Sequence, residues 1–195
     1  MRKIIIIGAS GHGKVCADIA AQSYDQVEFL DDNPSAKRLG PVSDYKKYID
    51  DWDFFVAIGN NEIRKKVTNQ FKRANIVSLV HKNAVVASNV KIGQGTVVMA
   101  GSVINPDTVI GKGCIINTCS SVDHDNNIGD YTHISVGAHL AGTVKVGKNC
   151  FICAGSTIIN NIVICDNTVV GAGATVVKNI NTSGTYIGVP ARKIK

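Results

Sequence analysis

Between Val86 and Val176 every sixth residue is aliphatic, through Ile110, Ile134 and Ile158, without one slip across sixteen positions. A helix repeats its buried face about every 3.6 residues and a simple strand about every 2, so neither predicts a strict six. A fixed short period is the mark of a solenoid, and a hexapeptide period is one form of parallel β-helix. A second period lies inside the first. Gly93, Gly111, Gly129 and Gly147 each follow an aliphatic position and stand eighteen residues apart. Three hexads therefore form one coil, and these glycines are expected at one corner of it, where a residue without Cβ turns most easily. A small side chain recurs in most hexads (Thr96, Ser102, Thr108, Ser120, Thr132, Ala138, Ser156, Ala174), so small and aliphatic residues alternate in a narrow interior.

Composition agrees with such an interior: of 195 residues 45% are hydrophobic, 6% are aromatic and 19 are Gly. The net charge of +6 favours anionic ligands. Its basic residues are scattered until Arg192, Lys193 and Lys195, so there is no basic block of the nucleic-acid-binding kind and a small polyanion is the better partner. Cys114 and Cys150 occupy the small-residue slot, where a thiol packs as a small hydrophobe. Cys150 and Cys153 have the spacing of half a zinc or redox motif, but no second pair accompanies them. The apolar run Ile4 to Ile7 is too short for a signal peptide or a membrane span. The chain reads as cytoplasmic, with reduced thiols and no insertion into membranes.

Ahead of the repeats the pattern changes. Residues 3–7 read as a buried strand and Gly8-Ala9-Ser10-Gly11-His12-Gly13 as a loop. A helix is expected from Lys14 to Ser23 with Val15, Ile19 and Ala20 on one face. Strands follow at Val27–Leu30, ending in Asp31-Asp32, and at Phe54–Ile58, ending in Gly59-Asn60-Asn61. Glu62 to Arg73 is expected as a helix and Ile76 to Val80 as a fourth strand. This is a βαβ unit of Rossmann type. About eighty residues hold only half a dinucleotide fold, so residues 1–82 are expected to bind a mononucleotide and 83–195 to form the β-helix. The amides of the Gly8–Gly13 loop can hold a phosphate at a helix N-terminus. Asp31 stands where a ribose-binding acid would lie, and Gly59-Asn60 ends a strand on the same sheet edge. The competing reading of these residues is close packing at the glycines, a turn at Asp31-Asp32 and an ordinary loop capped by Asn.

One strongly polar segment, Asp123-His124-Asp125-Asn126-Asn127, breaks the solenoid. One coil beyond His124 comes Gly142, so the position stacked roughly 4.8 Å away carries no side chain. That is expected to leave room for a ligand beside the imidazole, while Asp125 orients the ring and stabilises its protonated form. His133 and His139 take the same slot in consecutive hexads. With His124 they raise a zinc site, but a gap of six residues puts the two rings on different faces, which argues against metal.

The whole chain resembles the hexapeptide-repeat sugar acetyltransferases of sialic-acid O-acetyltransferase type. Within them it is most similar to the bacterial UDP-4-amino-sugar N-acetyltransferases of bacillosamine and protein-glycosylation pathways. The likeness lies in GASGHG at 8–13, FLDD at 29–32, AIGNNEIRKK at 57–66, INTCSSVDHD at 116–125, HISVGAHLAG at 133–142 and GVPAR at 188–192. It implies an α/β Rossmann-like half domain followed by a left-handed parallel β-helix, a homotrimer with sites between subunits, and acetyl-CoA as co-substrate without metal. It implies His124 as a general base, mostly neutral at cytoplasmic pH, with the Gly142 N–H on the developing oxyanion and Asn117 and Asp125 positioning the amine. Ser10, Gly11, His12, Asp31, Asp32, Gly59 and Asn60 would hold the UDP-amino-sugar. His133, Gly142, Ala154, Gly155, Ala172, Gly173, Gly188, Pro190 and Arg192 would line CoA. Asp125 stands where those enzymes carry Glu. O-acetylation of sialic acid or another sugar, and a non-catalytic trimeric sugar-nucleotide-binding scaffold, are the rival readings.

Overall fold

The computed structural model describes residues 1–195. Its N-terminal lobe is built on β1 (Lys3–Ile7), α1 (Gly11–Ala20), β2 (Gln26–Leu30), β3 (Asp53–Val56), α2 (Asn61–Thr68) and β4 (Asn75–Ile76). The four strands form one parallel sheet in the order β2-β1-β3-β4. Ile4 to Ile7 are fully buried because β1 sits centrally and is covered on both faces. Continuous apolar strands are the expected signature of that position. The order reverses between β1 and β3, which makes their carboxyl ends the natural ligand crevice of an open α/β sheet.

Three details differ from the sequence reading. Helix α1 starts at Gly11, and it buries Cys16, Ile19 and Ala20 while Val15 is exposed, because positions 16, 19 and 20 share the face toward the sheet. Helix α2 ends at Thr68. The apolar segment Ile76–Val80 is not one strand. Ile76 pairs with Phe54 in the lobe, whereas β5 (Leu79–Val80) pairs with Val97–Val98 as the first strand of the solenoid. Two apolar pairs, Ile76-Val77 and Leu79-Val80, separated only by Ser78 look like one strand in a sequence.

The solenoid is a stack of two-residue strands wound on three faces, in sheets of eight, six and five strands. The first face runs from β5 through Ile115–Ile116, His133–Ile134 and Phe151–Ile152 to Gly184–Ile187. The second carries Ser121–Val122 and His139–Leu140, and the third Asn127–Ile128 and Lys145–Val146. The sixfold aliphatic positions point inward and are buried, except Val86 and Ile92 in the lowest coil, which are only partly covered.

From Gly95 to Gly173 each corner contains a residue in left-handed backbone conformation, in three series spaced by eighteen. These include Gly137 and Gly155 between the first and second faces, Asp125 and Thr143 between the second and third, and Gly113 and Tyr131 between the third and first. The glycines at 93, 111, 129 and 147 are not among them. A Cβ on Gly129 would lie 2.5 Å from the carbonyl carbon of Gly147. That column is therefore glycine because successive coils approach backbone to backbone, not because the turn demands it. The lobe packs on the first face, where Leu79, Val97 and Ile115 join Ile4, Ile6 and Ile19 in one core.

Candidate active site

The predicted site residues fall into three groups. The first is at the corner between the second and third faces. His124 Nδ1 and Asp125 Oδ2 are 2.7 Å apart. Both side chains are 56% exposed, so water screens the pair. Asp125 adopts φ 57°, a conformation that Asp tolerates better than most residues. Asp123 braces the corner through Oδ1, which accepts from the His124 N–H at 2.8 Å and from Asn105 Nδ2 at 2.7 Å. A Cβ on Gly142 would lie 2.6 Å from both Cε1 and Nε2 of His124. The missing side chain therefore makes room for the imidazole itself, which rests on Gly142, rather than for a ligand beside it. The Gly142 N–H donates no hydrogen bond within the chain. The hydrogen bond to Asp125, aided by the charges of Asp123 and Asp125, holds the His124 pKa above the ordinary imidazole value of 6.5. The shift favours the protonated form relative to a bare imidazole.

The second group lies on the first face. Asn117 Nδ2 is 3.0 Å from His133 Nε2 and its Oδ1 accepts from the Thr118 N–H, so the amide donates and His133 carries its proton on Nδ1. The His133 ring stacks on Phe151 at 5.0 Å. Asn117 is thus tied to His133 and not to His124, which stands at another corner of the prism. Ala154-Gly155 and Ala172-Gly173 are exposed and stacked one coil apart at the neighbouring corner. The tail reaches that end of the solenoid through the Gly188 carbonyl, which accepts from the Thr175 N–H. Pro190 and Arg192 are exposed there.

The third group is in the lobe. A crevice of about 520 Å³ at the strand ends is lined by Gly8, Asp31, Asp32, Ile58, Lys66 and Gln70, among others. Ser10 caps α1 without a side-chain hydrogen bond, and both Ser10 and Gly11 are exposed. Asp31 accepts from the Ala9 N–H at 2.6 Å and from the Asn33 N–H at 2.7 Å, and Asp32 from Val42 N–H at 2.9 Å. These carboxylates hold the loop in place, which the ribose reading did not anticipate. Asn60 caps α2 by accepting from the Ile63 N–H.

The sequence reading missed the residue that joins the second and third groups. Arg64 is 1% exposed. Its Nε donates to the Gly113 carbonyl at 2.7 Å, Nη1 to Ile58 and Gly59, and Nη2 to Asn61 Oδ1 and the Tyr131 carbonyl. All five N–H groups are satisfied by neutral acceptors from both lobe and solenoid. Burial and this guanidinium depress the neighbouring His12 to about 4. Burial, Arg64 and His12 together depress His133 to about 3. The two histidines are neutral and meet at the seam. Beside them a cleft of about 440 Å³ is lined by Gly59, Asn60, Asn61, Glu62, His133, Asn149, Phe151 and Val169. A basic run such as Arg64-Lys65-Lys66 reads as a solvated helix face, and only the Asn61–Arg64 spacing after a strand end hinted otherwise. No three His, Cys, Asp or Glu side chains are grouped closely enough to hold a metal ion, and His133 and His139 lie on different faces. All six cysteines are free thiols. No helix is long and apolar enough to cross a membrane.

An α/β lobe with a nucleotide-sized crevice, docked on a hexapeptide solenoid that carries an exposed His–Asp pair, defines an acyltransferase-type architecture. Residues 3–71 match the PglD N-terminal domain family, and 89–124, 127–160 and 144–178 match the bacterial transferase hexapeptide family. The chain belongs to the hexapeptide-repeat sugar acetyltransferase family. It is 35% identical to the acetyltransferase domain of PglB from Neisseria gonorrhoeae FA1090, covering 100% of both chains with a TM-score of 0.94. It is 34% identical to PerB from Caulobacter crescentus, solved with CoA and GDP-perosamine, covering 100% of this chain and 98% of that one with a TM-score of 0.95. A UDP-N-acetylbacillosamine N-acetyltransferase of Bacillus subtilis (strain 168) is 36% identical over 113 residues, 51% of this chain and 52% of that protein's length.

Proposed function

We propose that the protein transfers the acetyl group of acetyl-CoA to the 4-amino group of a UDP-linked amino-deoxy sugar by direct attack. The observation that carries this is the His124–Asp125 pair at 2.7 Å, with the ring resting on Gly142. With Nδ1–H donating to Asp125, the free lone pair is on Nε2, the tautomer a general base needs. The amine attacks the thioester carbonyl, Nε2 takes the amine proton, and the unpaired Gly142 N–H donates to the oxyanion. Collapse breaks the C–S bond, and the imidazolium returns the proton to the departing CoA thiolate. No hydroxyl or thiol is hydrogen-bonded to the His124 ring, which supports direct transfer over an acyl-enzyme.

The lobe crevice takes the nucleotide, and the exposed corner at Ala154-Gly155 and Ala172-Gly173, with the tail, takes CoA. Since Asn117 and His133 stand away from His124 within one chain, the site is completed by a neighbouring subunit of a homotrimer. Exposed Val136, Ile159 and Val177 at the corners support that assembly. Six free thiols and the need for acetyl-CoA fit the cytoplasm. The test is a panel of UDP- and GDP-linked 4-amino sugars and free sialic acid, incubated with acetyl-CoA and read by mass spectrometry, with light scattering for the assembly. Acetylation of the UDP-4-amino sugar is expected; selective acetylation of sialic acid, or no turnover and no CoA binding, overturns the reading.

A further inference from the structure

The geometry points to Asn126 as the positioning residue that locks the His124 corner to the Gly142 corner from inside the solenoid, an inference that rests on His124 being the base. Asn126 is 1% exposed and stands in the inner slot that elsewhere holds small side chains. In the coil below, Thr108 spends its one O–H on the Asp123 carbonyl at 2.8 Å. Thr96 and Thr132 do the same one coil away, each bonding a single corner. A hydroxyl has one hydrogen to give, whereas an amide has two.

Asn126 uses both. Its Nδ2 donates to the Asp123 carbonyl at 2.6 Å and to the Ala141 carbonyl at 2.9 Å, with the His124 carbonyl at 3.3 Å sharing the donor. Its Oδ1 accepts from the Val144 N–H at 3.1 Å. The orientation of the amide is fixed, since three carbonyls face one end and an N–H the other. One side chain thus grips residues 123–124 on one coil and 141–144 on the next, the two turns that carry the imidazole and the Gly142 donor. Nothing above can substitute, because the next residues in that column are Val144 and Ile162. The His124 carbonyl also accepts from the Thr143 N–H at 2.9 Å, but this bond repeats an ordinary coil-to-coil contact. An amide appears in this buried column only where the two turns meet.

The function of such a clamp is to keep the base and the oxyanion donor in register, and small misplacements of that kind are costly: ~1 Å lowers rates by up to about 10²-fold. The test is Asn126→Thr, which mimics the slot one coil below and keeps one of the two bonds. Steady-state kinetics with acetyl-CoA and a nucleotide-linked 4-amino sugar are compared in the wild-type and His124→Ala backgrounds. We expect kcat to fall about tenfold with KM for acetyl-CoA little changed, a fall within the range for misplaced groups, and no further fall in the His124→Ala background. A wild-type kcat in folded Asn126→Thr overturns the clamp. So does an equal loss in both backgrounds, which marks a general packing role. If His124→Ala itself keeps wild-type kcat, the base assignment fails and the clamp with it, a result distinct from the first two. Should Asn126→Thr not fold, Asn126→Ser, with the residue that Ser120 and Ser156 place in the same slot, carries the same comparison.

Discussion

Two imidazoles nine residues apart in the sequence are driven in opposite directions by where the solenoid puts them. His133 faces the seam beneath the lobe, stacked on Phe151 and near Arg64, and is depressed to about 3. His124 stands at an open corner beside two carboxylates and is held above the ordinary value. Burial and a neighbouring cation make the first a permanent hydrogen-bond acceptor for Asn117. The hydrogen bond to Asp125 and the neighbouring anions favour the protonated form of the second. Sequence spacing places both on the coil; only their surroundings drive their proton affinities apart.

The sharpest way to break this contrast is to remove the ring that is meant to do chemistry. His124→Ala should lower kcat by about 10²–10⁴-fold, the usual contribution of a general base. KM should change little, because the ring holds a proton and not the bulk of either substrate. Retention of more than about a tenth of wild-type kcat sinks the assignment.

At the seam the dominant residue is Arg64. Arg64→Met would leave the Gly113, Tyr131, Ile58 and Gly59 carbonyls without their donor, in a buried network that spans lobe and solenoid. A loss of a few kcal/mol is expected, because each buried carbonyl left without its donor costs about 1–3 kcal/mol. Arg64→Lys should recover little, because an ammonium cannot reproduce a planar five-donor fork. Equilibrium denaturation measures both; a near-neutral Arg64→Met would show that the seam is held by the shared apolar core alone.

A more gradual effect should appear in the pH dependence of stability. His133 and His12 titrate near 6.5 when unfolded but are depressed to about 3 and about 4 when folded. Between those limits the unfolded chain binds more protons. Stability is therefore complete above pH 6.5 and is lost as pH falls toward 4, by at most about 1.4 kcal/mol per pH unit for each group. His133→Gln keeps an acceptor for Asn117 and should flatten that slope. An unchanged slope would mean that His133 is not sealed from water.

These contrasts bear on what the sequence could reveal. The interior of the solenoid was legible because a six-residue period has one geometric solution, and the inward positions are those the period marks. The candidate site was legible where an unusual residue interrupts a regular background, as at His124 and Gly142. It was illegible where the decisive fact was burial of a polar group. Arg64 lies in a basic run that looks solvated, and Asn126 sits inside a run of five polar residues that looks like an exposed corner. In Asn126 the signal was present, since counting in sixes puts it in the small-residue slot. The exact strand in which the solenoid begins, Leu79–Val80, carries no signal of its own because its neighbour Ile76 is equally apolar.

The finest probe of the contrast is Asp125→Asn. Position 125 is in the left-handed region at φ 57°, and Asn149, Asn161 and Asn167 occupy corresponding turns, so the backbone should not change. The amide oxygen of Asn can still accept from Nδ1–H, so ring orientation is largely kept while the negative charge is lost. The sign of the effect follows from the cause of the raised His124 pKa, which is first the hydrogen bond to Asp125 and then the charges of Asp123 and Asp125. A base works when deprotonated, so kcat in the wild type should rise with pH through a limb above 6.5. Without the carboxylate the imidazolium is less favoured, and the limb should move to lower pH. Above the limb the variant should be slower by less than about tenfold, below the range for losing the base itself. Below it, the ratio of variant to wild-type kcat should climb as pH falls. A kcat–pH profile of both proteins decides this. A limb that stays in place would mean that Asp125 orients the ring without tuning it, and that Asp123, braced by Asn105, is the carboxylate that sets the proton affinity of His124.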